Sequence, residues 1–309
     1  MAAETFDLNP SDLNRSDPGP SAHGSPAHSS PAPDWLGPES LSWRYSGDWR
    51  TILLGPWVGL VQLSLPGLGA GVVEHSAFYT EPWDRFLRSV PQIAGVVYDG
   101  PRSAAEGHRI RDLHTTIKGV DDKGRRYHAL DPEVFFWAHA TISEVVVKMI
   151  DLFDHPITSA EKDQLFAESV RIWRNYGMSD RPLPPNRAAL DEYFKHVYAN
   201  VLEKTPAVAE FIRLSAEPAS MAQPWLPQPV WRALAPIVTK SMWRFGVGLL
   251  EPETRETLGL TWTNSDERGL RQVAAIIRTT WPMLPRPVRY MPRAKTGFRR
   301  TGWPRPARM

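Results

Sequence analysis

Apolar residues recur along most of this chain at helical spacing, and strand-like alternation is scarce. From Thr51 to Val73 there is no charged residue, but Pro56 and Pro66, together with five glycines, interrupt the run. Its length would suit a membrane span, while the breaks predict a bent pair of buried helices. A helix is expected over Glu81 to Val97, bent or split at Pro91. Another is expected over Ala104 to Lys118, with Ile110, Leu113, His114 and Ile117 on one face. The Asp-x-Gly turn after Gly119 predicts a small hairpin near Val120 to His128. Asp131 caps and Pro132 opens a helix that runs to about Phe153. Thr158 and Glu161 form a capping box for the next helix, which Gly177 ends after Tyr176. Further helices fit Arg187 to Lys204, Pro206 to Ser215, Pro229 to Leu249 and Ser265 to Thr280. The expected fold is therefore all-α, a single multi-helix domain over 39–285 with one short hairpin. Residues 1–38, rich in Pro and Ser and without an apolar face, read as a disordered tail.

Composition narrows the chemistry. There is no cysteine among the 309 residues, which excludes disulfides, iron–sulfur clusters, thiolate-ligated haem and c-type attachment. Lys plus Arg number 36 against 34 for Asp plus Glu, so the net charge of +2 gives no reason to expect a nucleic-acid partner. The balance is uneven, however: no acidic residue follows Glu267, while eleven Lys and Arg do. Residues 286–309 therefore read as a basic C-terminal tail on the surface, with peripheral contact to anionic lipid as one expectation. The first residues are acidic and lack a basic region ahead of an apolar run, which is unlike a secretory signal and points to a cytoplasmic protein.

Among the histidines, His139 stands out. At helical spacing its neighbours are Phe135, Phe136, Ile142, Ser143 and Val146. An imidazole buried there costs roughly 1–3 kcal/mol unless its nitrogens find partners. Two arrangements satisfy it: a metal on one nitrogen with an acceptor on the other, or a core histidine bonded to a backbone carbonyl. His114 lies near an apolar face but is flanked by charge, and Arg109 and Arg111 suit either anionic groups or a solvated helix face. His75 follows the uncharged stretch, and His155 precedes Pro156 and looks exposed. No His-Glu-x-x-His, Gly-x-Ser-x-Gly, Glu-x-x-His or Walker pattern is present.

Taken in order, several segments carry a resemblance: Gln62-Leu-Ser-Leu-Pro-Gly, Val73-Glu-His-Ser-Ala-Phe and Ile110-Arg-Asp-Leu-His-x-x-Ile-Lys-Gly. They are followed by Tyr127-His-Ala-Leu-Asp-Pro, Trp137-Ala-His-Ala-Thr, Trp173-Arg-Asn-Tyr-Gly-Met and Leu183-Pro-Pro. The chain, from about Trp43 to Tyr290, resembles the oxygenase family of MpaB-type proteins and bacterial rubber oxygenases (latex-clearing proteins). The resemblance implies a globin-reminiscent helical core and a haem b whose iron is held by His139, with His114, Arg109 and Arg111 on the haem-facing helix and the arginines toward the propionates. It also implies use of dioxygen on an apolar, prenyl- or lipid-like substrate, with Thr115, Thr116 and Lys118 as distal candidates; the catalytic residue itself is not identified. Two alternatives remain at this point: a non-enzymatic haem or lipid-binding protein, and a cofactor-free, membrane-associated helical scaffold.

Overall fold

The computed structural model describes residues 35–76, 82–215 and 227–304, with the backbone alone between 82 and 88. The expected tail therefore lies outside the described residues as far as residue 34. Its last part does not: Leu36 is buried and packs into the core. The described residues form one compact unit. It is all-α: the described residues contain fifteen α-helices and one antiparallel pair, β1 (Lys118–Val120) with β2 (Arg126–His128), in the register Gly119 opposite Tyr127.

The central element is α7 (Pro132–Phe153). The Asp131 carboxylate caps it by accepting from Glu133 N–H at 2.9 Å, and Pro132 occupies the first position, where an N–H would find no partner anyway. Thirteen of its residues are buried, on more than one face, so other helices must enclose it.

One of these neighbours is the uncharged stretch, which folds as α3 (Gly55–Leu63) and α4 (Pro66–His75), bent at 103°. A break inside the core exposes carbonyls that need donors. Thr205 Oγ1–H bonds Leu63 O at 2.6 Å and Glu203 N–H bonds Ser64 O at 2.9 Å. Trp137 Nε1–H bonds Val61 O at 3.0 Å, tying α7 to α3. Among the described residues no single helix is long and apolar enough to cross a membrane.

A second neighbour is α8 (Ser159–Asn175), opened by the Thr158–Glu161 capping box. Its buried Glu168 carboxylate accepts from Leu41 N–H at 3.0 Å and Ser42 N–H at 2.7 Å, satisfying the first donors of α1 (Leu41–Tyr45). α5 (Pro82–Tyr98) runs through Pro91 and supplies Val90, Ile93, Ala94 and Val97 toward the same interior.

Two expectations are corrected. The helix expected to reach Lys118 is α6 (Ser103–Asp112). Beyond it the hydrogen bonds shorten to three-residue turns, and Thr115 Oγ1–H takes the Asp112 carbonyl. The β-branched run Thr115-Thr116-Ile117 favours that exit, and Leu113 is left exposed. The second concerns the basic tail expected on the surface from Arg286 onward, of which residues 286–304 are described. Within it α14 (Arg286–Arg289) and α15 (Pro292–Thr301) form, and α15 buries Ala294, Gly297 and Phe298. Phe298 packs with Trp43, Tyr98, Tyr290 and Trp303 at ring separations of 4.9–5.8 Å. Eight cations between 286 and 309 obscure this i, i+3, i+4 stripe in the sequence.

Candidate functional site

Between α1, α3, α5, α7 and α8 lies a cavity of about 350 Å³. Val58, Ile93, Val97, Ile142, Val146 and Ile172 form much of its wall. Its polar lining comes from His139, Gln62, Tyr176 and the hydroxyls of Ser42, Ser46, Thr51, Ser89, Ser143 and Ser169, and among the described residues no charged side chain lines it.

His139 enters this wall from α7 and is 4% exposed. Nε2 lies 3.0 Å from the Ser169 carbonyl oxygen, which can only accept, so Nε2 carries the hydrogen and Nδ1 the lone pair. That lone pair has no hydrogen-bond partner among the described residues. Burial lowers the imidazole pKa from 6.5 to about 4, and the bond to Ser169 opposes this only in part, so the ring is neutral at physiological pH. Aromatic rings hold it: Trp173 at 5.5 Å, Tyr176 at 5.6 Å and Phe136 at 6.3 Å.

Two neutral polar groups share the cavity. The Gln62 amide donates to Ala138 O at 3.1 Å and Thr141 Oγ1 at 2.8 Å, which fixes the side chain. The Tyr176 hydroxyl forms no hydrogen bond among the described residues, and burial pushes its pKa up, so it stays protonated. Both residues lie in the segments that carry the resemblance, but neither stood out as a candidate. Gln62 is the only amide between Thr51 and Val73, and Tyr176 directly precedes the helix-ending Gly177, which adopts φ +66°. Those were the available signals.

The other sequence candidates lie elsewhere. His114 sits half-buried just past α6, its Nδ1–H bonded to Ile110 O at 2.8 Å. Its ring meets Phe135 at 5.8 Å, and Phe135 in turn meets Tyr176 at 5.2 Å. The two histidines thus border one aromatic cluster, yet His114 does not line the cavity. Arg109 is bidentate to Glu106, at 2.6 and 3.1 Å, on the exposed side of α6. Arg111 pairs with Asp112 at 2.8 and 2.9 Å and reaches Tyr176 O at 3.3 Å. Neither arginine lines the His139 cavity, nor do Thr115, Thr116 or Lys118. His75 faces Glu74 at 3.7 Å and is partly exposed. His155 bridges Asp154 at 3.0 Å and Glu161 at 2.9 Å, which makes it a paired group and not a free surface histidine.

Among the described residues no three His, Asp or Glu side chains converge as a metal-binding group. The described residues of the cavity therefore offer an incoming metal one imidazole nitrogen, with otherwise only neutral side chains around it. Such a donor set suits a metal that brings its remaining ligands with it.

Comparison with known proteins gives a consistent picture. The family model described as "ER-bound oxygenase mpaB/B'/Rubber oxygenase, catalytic domain" matches residues 43–279. The chain is 23% identical over 232 residues to "Uncharacterized protein Mb2261" of Mycobacterium bovis, covering 73% of this chain and 87% of that one. The same figures hold for "Uncharacterized protein Rv2237" of Mycobacterium tuberculosis. No solved structure matches.

Proposed function

This chain belongs to the family of ER-bound MpaB-type oxygenases and rubber oxygenase catalytic domains, and on that premise we propose that it is a haem b-dependent oxygenase whose iron is held by His139. The observation that carries this reading is a neutral, buried imidazole with one nitrogen anchored on Ser169 and the other unpartnered among the described residues, in a wall whose described residues are uncharged.

Each residue has a stated part. Ser169 O fixes the ring and its tautomer, as backbone carbonyls commonly do for metal-binding histidines. The depressed pKa keeps the lone pair free of a competing proton across the physiological range. The walls formed by Val58, Ile93, Val97, Ile142 and Val146 exclude water and match an uncharged, prenyl- or lipid-like substrate. Tyr176 offers a hydroxyl donor that no described residue engages, and Gln62 offers an amide whose orientation is fixed. Bound haem would supply the binding and activation of dioxygen. The arginine part of the expected site is not included, because Arg109 and Arg111 are engaged by Glu106 and Asp112 and neither lines the cavity.

The test is an absorption spectrum of the full chain produced with haem supply. A Soret band is expected, with occupancy at least about tenfold lower in His139→Ala and unchanged in His114→Ala. A band unaffected by His139→Ala would assign the iron to another residue. No band in the wild type would leave His139 a core histidine on a backbone carbonyl. Turnover of an isoprenoid alkene under dioxygen then separates an oxygenase from a haem or lipid carrier with the same cavity.

A further inference from the structure

One patch of surface is apolar and cationic together. Between α13 (Asn264–Thr280) and α15 the chain reads Trp281-Pro-Met-Leu-Pro-Arg-Pro-Val-Arg289, where prolines at 282, 285 and 287 prevent a long helix. Met283 is 80% exposed, Val288 57% and Leu284 39%. Trp49, 36% exposed, stands beside them, because its N–H bonds Arg289 O at 3.0 Å and Asp48 bridges Tyr290. This is a fixed surface. Trp281 Nε1–H bonds Asp48 at 3.2 Å, Arg50 stacks over the Trp281 ring at 5.6 Å, and Met291 N–H bonds Gly47 O at 2.8 Å.

The charges here differ from those nearby. Arg278 is taken up by the Asp151 and Leu152 carbonyls and Arg293 by the Asp99 carboxylate. Arg286 and Arg289 have no ion-pair partner among the described residues, and no Asp or Glu occurs in the sequence after Glu267.

We propose that this face, Trp49 with Met283 to Arg289, docks on the surface of an anionic bilayer. Exposed Met, Leu and Val gain by leaving water, and arginines unopposed by carboxylates match a layer of anionic headgroups above an uncharged interior. A half-exposed Trp at the edge suits the headgroup level. The face also adjoins the cavity: Ser46, Thr51, Ile52 and Met291, which flank it in the chain, line the His139 cavity. An apolar molecule dissolved in the bilayer would thus meet the cavity wall without crossing bulk water. Docking itself is independent of whether the cavity holds a haem.

Co-sedimentation of the full chain with vesicles of phosphatidylcholine alone, or mixed with phosphatidylglycerol, tests this. Binding is expected to the mixed vesicles at low salt and should weaken as salt screens the charges. Arg286→Gln should weaken it roughly fivefold, and Met283→Ser/Val288→Ser about tenfold or more. Both variants change exposed side chains, so unaltered thermal melting verifies that they fold. Equal binding to both vesicle types, no binding to either, or full binding by both variants would overturn the proposal. So would a dimer in sedimentation analysis that Met283→Ser/Val288→Ser disperses, since the face would then join two copies of the chain.

Discussion

α6 and α7 are near neighbours in the sequence, each is associated with a histidine beside aromatic side chains, and the two histidines border the same ring cluster. Their surroundings nevertheless differ. His139 lies mid-helix in an element enclosed by α3, α5 and α8, where each of its nitrogens must be satisfied or left available to a ligand. His114 follows the end of a helix packed mainly from one side and is itself partly exposed. The same contrast holds for the ion pairs. Arg187, from α9 (Arg187–Asn200), meets Glu144 of α7 at 2.7 and 3.1 Å in a buried pair. Arg109 meets Glu106 on the open side of α6. Enclosure, more than residue type, separates a structural or functional group from a solvated one.

The largest expected effect comes from opening the buried pair. Arg187→Ala leaves the Glu144 carboxylate without its guanidinium and should lower stability by about 3–5 kcal/mol in chemical denaturation. A loss below about 1 kcal/mol would show that water reaches this part of α7 and would weaken the contrast with α6.

Next is the pH response of His139. With a pKa near 6.5 unfolded and about 4 folded, the unfolded chain takes up a proton that the folded chain refuses. The stability conferred by the neutral ring is complete above about 6.5 and is lost as pH falls toward 4, by about 3 kcal/mol. Denaturation midpoints of wild type and His139→Leu, compared across that window, should converge on acidification by this amount. Parallel profiles would mean that the ring is hydrated.

Gly107 gives an intermediate effect. It lets α6 approach the C-terminal end of α8, and an added methyl group would press on the Asn175 carbonyl and the Tyr176 amide. Gly107→Ala should cost about 1–3 kcal/mol despite the better helix propensity of alanine. A neutral result would show that α6 can shift away from α8. The smallest effect is expected for Arg109→Gln, which breaks an exposed pair and should change stability by less than about 1 kcal/mol. It should leave any Soret band unchanged, because Arg109 does not line the cavity.

Local signals were enough to read α7, α8 and α10 (Pro206–Ser215) nearly to the residue, because caps and breakers act within one turn. The exit from α6 depended on a competition between Thr side chains and the helix ladder that periodicity does not register. α12 (Pro252–Leu258), a short helix ending at Gly259 with φ +68°, went unread for want of length. In the candidate site, His139 was legible because apolar residues surround it at helical spacing. Tyr176 and Gln62 were not, since what marks them is an unconsumed hydroxyl and a fixed amide facing a cavity built from five helices.

The helical class, the caps of the central helices, the absence of any thiolate ligand and the apolar surroundings of His139 are written in the residues alone, since each follows from residue type and spacing within a few turns. Long-range packing settles which nitrogen of His139 is anchored, that Arg109 and Arg111 pair with Glu106 and Asp112 without lining the cavity, and that α15 belongs to the core. Those outcomes depend on partners distant in the sequence: Ser169 lies 30 residues from His139 along the chain. No local pattern encodes a contact at that range, because it is packing between helices that brings the two together.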